Sequence, residues 1–133
     1  EYCKDISEGR QHYLRFGIPD TWQDWEDSNL KYDSSVGFYN RVGFRAGICF
    51  EYPVFNVKTR KQLNIRERPL MVMDTALKKQ CVSKEISLSA VVKLLEESLK
   101  YGGDFVLLWH NSNLKVNEWC GWDQVYKQIL EKI

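Results

Sequence analysis

The chain has 133 residues, 44% of them hydrophobic, with 19 Lys and Arg against 18 Asp and Glu for a formal charge of +1. That length and apolar content predict one folded domain, 1–133, with a sizeable core, and exclude disorder as the default. The near balance of charge speaks against a nucleic-acid face; no run is long and apolar enough to span a bilayer, and no signal peptide is visible.

Arg10 to Phe16 alternates imperfectly between glycines and predicts a strand. Pro19-Asp20-Thr21 opens a short helix with Asp20 as N-cap and Trp22, Trp25 and Leu30 on its apolar side. Lys31 to Val36 reads as a brief strand or turn, followed by a loop punctuated by Gly37, Gly43 and Gly47. Ala46 to Phe50 suggests another strand. Pro53–Val57 and Gln62–Arg66 both alternate, and the basic Lys58–Lys61 link, read as a solvated turn, predicts a hairpin between them. Leu70–Met73 predicts a strand ending at Asp74.

The strongest helix signal is Leu88, Val91, Val92, Leu95 and Leu99, capped by Ser83 or Ser87 at its start and by Gly102 at its end. The apolar run Phe105-Val106-Leu107-Leu108 predicts a strand buried on both faces, as in parallel sheets. Trp109-His110-Asn111 stands at its carboxyl end, where α/β sheets and barrels carry their chemistry. A last helix has Trp122, Val125, Tyr126, Ile129 and Ile133 on one side.

Only His12 and His110 are histidines, so imidazole supplies at most two metal ligands. A catalytic zinc wants about three protein ligands. Asp33 or Asp74 could complete a set, although no local spacing supports it. Cys3, Cys49, Cys81 and Cys120 show no C-x-x-C spacing, which predicts reduced, buried thiols and a reducing, cytoplasmic setting. Aromatics reach 14%, with five Trp; sugar sites stack pyranose rings on such side chains, but most of these are expected in the core. The opening Glu1–Asp5, without Met, reads as a fragment, a processed form or part of a longer chain.

Five segments occur in order: Arg10-x-His12-Tyr13-Leu14-Arg15-Phe16, Tyr32-Asp33-Ser34-Ser35-Val36-Gly37-Phe38, Gly43-Phe44-Arg45-Ala46-Gly47, Glu67-Arg68-Pro69-Leu70-x-x-Met73-Asp74 and Leu107-Leu108-Trp109-His110-Asn111. Together they resemble the C-terminal half of the polysaccharide deacetylase family, carbohydrate esterase family 4, in a bacterial subgroup. The resemblance implies an α/β fold: a partial (β/α) barrel lacking its N-terminal strands. It implies a hydrolase that removes acetyl groups from sugars with a divalent metal, commonly zinc, which polarises the carbonyl and activates water.

In that family a histidine of a late L-x-H-type motif protonates the leaving amine, a role His110 matches. An arginine of an R-x-P-Y-type motif orients the base. Arg10 is the first candidate, although His12 replaces the proline, and Arg45 is the second. Tyr13, Trp109 and Trp119 are candidate sugar contacts. The family's T-F-D-D-like and H-S/T-x-x-H motifs are absent, so no metal ligand and no cofactor is expected in this chain, and it is expected to be inactive alone. The alternatives are a non-catalytic carbohydrate-binding module and a structural or interaction module. In the last, exposed strand edges would pair with a second copy or with a missing N-terminal half. A cell-envelope polysaccharide pathway is the family-level expectation.

Overall fold

The computed structural model describes residues 6–133; Cys3 and the Glu1–Asp5 opening lie outside them. The elements are β1 (Glu8–Gly9), a 3₁₀ turn (His12–Leu14), α1 (Asp20–Asp27), β2 (Tyr32–Asp33), β3 (Tyr52–Asn56), β4 (Lys61–Glu67) and β5 (Val72–Met73). There follow α2 (Asp74–Gln80), α3 (Lys84–Lys100), β6 (Leu107–Leu108), two further 3₁₀ turns (Asn111–Leu114 and Asn117–Trp119) and α4 (Trp122–Leu130).

The larger sheet has the order β1-β2-β4-β3. Its first three strands are parallel, and β3 closes it as an antiparallel edge. The hairpin expected around Lys58–Lys61 is present as β3 and β4. Pro53 lies on the outer strand, where a missing N–H breaks no ladder bond. Period two along β4 buries Leu63, Ile65 and Glu67 on one face. The apolar pair joins Trp22, Val36 and Val54 in one core cluster. The smaller sheet is the parallel pair β5-β6, in register Val72↔Leu107 and Met73↔Leu108. Neither sheet closes into a barrel.

A second cluster centres on Met71, Val72, Leu77 and Val91, with Trp119, Trp122, Val125 and Ile129 from the C-terminal end. A third holds Leu14, Leu70, Met73 and Ala76. Ser83 caps α3 by accepting from Ile86 N–H at 3.3 Å. Ser87 is instead a buried residue of that helix, whose hydroxyl donates back to the Ser83 carbonyl. Gly102, at φ 65°, ends the helix as expected.

Several expected elements take another form. Arg10–Phe16 is no strand: Tyr13 and Leu14 have left-handed φ of 59° and 52°, and the Leu14 and Arg15 amides close tight turns onto the Gln11 and His12 carbonyls. Burying Leu14 in the third cluster overrides the alternation and leaves Tyr13 exposed. Ala46–Phe50 is also not a strand, because Gly47 turns at φ 75° and Cys49 is drawn into the core. Asp20 is the first residue of α1 rather than its cap, and it pairs with Lys58. Strand pairing in Leu70–Met73 is confined to β5, and Asp74 starts α2, a helix the pattern did not separate.

The run Phe105–Leu108 is half-buried rather than sealed on both faces, since β6 has one strand neighbour. Leu99 and Ile133 point outward, and the buried face of α3 runs through Ser87, Val91, Leu95 and Ser98. Of the described cysteines, all free thiols, Cys49 is buried, Cys81 half-buried and Cys120 exposed, so the expectation of buried thiols fails at Cys120. Among the described residues, no helix is long and apolar enough to cross a membrane.

Candidate functional site

A cavity of about 610 Å³ opens where β5 and β6 end, beside the 3₁₀ turn. That is the size range of small-molecule sites. Its walls include Arg10, His12, Tyr13, Tyr39, Lys79 and His110.

The register of β5 and β6 builds its polar centre. Met73 pairs with Leu108, so Asp74, one residue on, meets His110, two residues past its own strand. Asp74 is fully buried. Its Oδ1 lies 2.7 Å from His110 Nδ1 and 2.7 Å from the Thr75 amide. Its Oδ2 accepts from the His110 amide at 2.9 Å and from Asn113 Nδ2 at 2.8 Å. Four contacts thus hold one carboxylate. With Asp74 as acceptor, His110 Nδ1 carries the hydrogen and Nε2 is the ring nitrogen free to exchange a proton with a ligand. The imidazole is about two-fifths exposed, with a side-chain accessibility of 39%, so a ligand in the cavity can reach it.

Behind the other wall lies a second polar group. Arg10 donates through Nε to the Ser34 carbonyl at 2.7 Å and through Nη2 to Ser34 Oγ at 2.8 Å. Burial lowers the Arg10 pKa, and the charge on the fully buried Asp33 opposes that shift, with Glu67 buried beside it. Ser35 Oγ donates to Asp33 Oδ1 at 2.5 Å. Glu67 accepts from the Val36 amide at 2.8 Å and from Trp22 Nε1 at 3.2 Å.

Burial, then the neighbouring Asp33 charge, pushes Glu67 up to about 8. Burial likewise raises Asp33. Tyr52 is pushed up to about 12 by burial and by the charge on both. Glu67 is therefore protonated at neutral pH, and its proton can serve Asp33 Oδ2, which otherwise has no donor among the described residues.

The structure brings three of the six candidate site residues, His110, Arg10 and Tyr13, to the cavity wall. His12 joins them, exposed and stacked at 4.2 Å on Tyr13 rather than set within a strand. The other three lie elsewhere. Arg45 is exposed, donates to the Gly37 carbonyl at 2.8 Å and sits over Phe16 and Phe38. Trp109 packs against Trp119, Trp122 and Tyr126 with centroid separations of 5.0–6.5 Å, inside the second core cluster. Trp119 is a buried member of the same cluster. Both tryptophans pack in that cluster and neither lines the cavity; along Leu108-Trp109-His110 successive side chains turn to opposite sides, which sends Trp109 inward where His110 meets the cavity.

Sequence reasoning weighed Asp74 as a metal ligand and not as the partner of His110, and it passed over Asn113 and Glu67. Glu67 had a visible signal: it continues the Leu63, Ile65 alternation onto the buried face. The Asp74–His110 pairing depends on strand register, which no local pattern carries.

A divalent metal does not fit these residues. The cavity wall offers two imidazoles, while the nearest carboxylate, Asp74, has both oxygens occupied. Among the described residues no three His, Cys, Asp or Glu side chains gather in a metal-holding cluster. Comparison with known proteins gives no match to any family model, curated protein or solved structure.

Proposed function

We propose that this chain is the C-terminal, proton-donating part of a carbohydrate deacetylase-like hydrolase, built as a partial (β/α) barrel. The observation that carries the reading is the buried Asp74 locked onto His110 Nδ1 at the wall of a cavity that also takes in Arg10 and Tyr13. Parallel pairing in both sheets is of the kind such barrels use.

In this reading the acetylated sugar lies across the cavity with Tyr13 against a ring face. In its doubly protonated form His110 gives the Nε2 proton to the departing amine or hydroxyl as its bond to the acetyl carbon breaks, which leaves the neutral Nδ1–H ring held in position by Asp74. Arg10 supports the wall from behind through Ser34. No three metal-ligating side chains gather among the described residues, and in this reading the 133 residues alone bind sugar without turning it over.

The test has two arms. With zinc added up to and beyond one equivalent, a chromogenic acetyl-sugar assay on the 133 residues gives no turnover. In a longer protein carrying this chain, His110→Gln lowers kcat by about a hundredfold or more and leaves KM near its original value. Clear turnover by the 133 residues at stoichiometric zinc, or an unaffected His110→Gln enzyme, overturns the reading. Binding of oligosaccharide without hydrolysis in any longer protein would instead favour the non-catalytic carbohydrate-binding module.

A further inference from the structure

Charge around the cavity is not distributed like charge in the chain. Overall the basic and acidic residues nearly cancel. Two loops meet at the cavity: residues 9–19, which supply Arg10, His12 and Tyr13 to its wall, and residues 34–50, which supply Tyr39. They contain Arg10, Arg15, Arg41, Arg45 and His12, and not one Asp or Glu. Lys79 adds a further cation to the wall from α2, with Nζ 6.0 Å from the Tyr39 ring centre.

The cations divide into two sets. Arg10 is already balanced: it is tied to Ser34 and backed by the Asp33–Glu67 pair. Lys79, Arg15 and Arg41 make no ion pair among the described residues. Arg15 lies 5.7 Å from the Tyr13 ring centre and Arg41 lies 4.0 Å from that of Phe38, so both are held by aromatic faces rather than by carboxylates. Asp74, beside the cavity, is fully buried and its oxygens are taken by the Thr75 and His110 amides and by Asn113 Nδ2. Of Lys79, Arg15 and Arg41 only Lys79 lines the cavity, while Arg15 and Arg41 stand on the loops that supply its wall; like charges near a concave site focus its field and raise the local concentration of the opposite ion.

The backbone gives a second indication. Tyr13 and Leu14 are consecutive non-glycine residues in the left-handed region. Such conformations cost free energy and persist where the surroundings fix them, often at ligand sites. Here the turn buries Leu14 and lifts Tyr13, which is 75% exposed, beside His12 at the cavity wall.

We infer that the cavity before His110 takes a negatively charged sugar, a glycan unit carrying a carboxylate or a phosphate, whose anion is met by Lys79 and His12 while its ring lies on Tyr13. This inference rests on the carbohydrate reading above and adds the charge of the ligand to it.

Imidazole signals of His12 and His110, followed by NMR, read out binding of four probes: a neutral N-acetylglucosamine trimer, a hyaluronan tetrasaccharide bearing uronates, N-acetylglucosamine 1-phosphate and inorganic phosphate. At low ionic strength one of the two charged sugars binds about tenfold more tightly than the neutral trimer, and which one does so separates carboxylate from phosphate. The preference shrinks to about threefold or less in 0.5 M salt, as screening requires. Lys79→Gln, at an exposed position, lowers the preference without unfolding the protein, as its unchanged amide spectrum checks. Equal affinity for neutral and charged sugars overturns the inference and leaves the carbohydrate reading standing. Inorganic phosphate binding as tightly as every sugar keeps the anion site and removes the carbohydrate reading. Failure of all four probes to move either imidazole overturns the inference, as does a preference untouched by Lys79→Gln.

Discussion

Asp74 is the residue on which the site's geometry depends, and its contacts define what its loss would do. Replacing it with Ala strands the Thr75 and His110 amides and Asn113 Nδ2, and frees the His110 ring. Unsatisfied buried donors are expensive. Asp74→Ala is therefore expected to lose about 3 kcal/mol in urea unfolding, and Asn113→Ala, which removes one donor, about 1 kcal/mol.

Glu67 makes the opposite case, a group buried against its own charge. Its folded pKa lies above its unfolded one, so the folded state holds the extra proton. Stability is then greatest below the ordinary carboxylate range and declines as pH rises from about 4.5 toward about 8. Asp33 shifts in the same direction and adds to the slope. Glu67→Gln removes the ionisation but has a single carbonyl oxygen, so it keeps an acceptor for either the Val36 amide or Trp22 Nε1 and not for both. It is expected to flatten the slope in thermal or urea unfolding across pH 5–9, with the lost acceptor lowering stability equally at every pH. An unchanged slope would show that Glu67 does not titrate in this window.

Elements show where pattern sufficed and where it did not. The β3–β4 hairpin and helices α3 and α4 were legible because each carries its own period and its own punctuation, such as Ser83 and Gly102 around α3. The segment Arg10–Phe16 was not, because its conformation is dictated by a distant pocket for Leu14, formed with Leu70 and Met73. The strand at Ala46–Phe50 failed for a related reason: Cys49 is pinned against Gly103, and the Asp104 amide donates to the Cys49 carbonyl at 2.8 Å.

That approach allows no side chain at position 103. A methyl group there would stand 2.2 Å from Cys49 Sγ and 2.9 Å from its carbonyl oxygen. Gly103→Ala is expected to destabilise the protein by about 2 kcal/mol through overpacking. Gly17→Ala, with no atom within 4 Å of its added methyl, serves as the control and is expected to be near neutral in the same denaturation experiment.

For the whole molecule, two open sheets share the work of placing the site. The larger carries the Asp33–Glu67 pair behind Arg10, and the smaller aligns Asp74 with His110 through register. His110 was legible as a candidate from its place after an apolar run, and Arg10 and Tyr13 from their motif. Arg45, Trp109 and Trp119 carried similar local signals, but whether a side chain faces a cavity or a core is decided by packing between segments far apart in sequence. The loops' lack of carboxylates was present in the sequence, yet it acquires meaning only when the fold brings residues 9–19 and 34–50 to one cavity.

His110 lines the cavity with a ring nitrogen, Nε2, that has no hydrogen-bond partner among the described residues. Diethyl pyrocarbonate labelling resolved by peptide mass spectrometry measures this residue by residue, with and without a saturating mixture of chitin and hyaluronan tetrasaccharides. Labelling of His110 is predicted to slow by about tenfold when sugar is bound, in line with the affinity of a filled cavity. Equal labelling of His110 in the presence and absence of both sugars would contradict it.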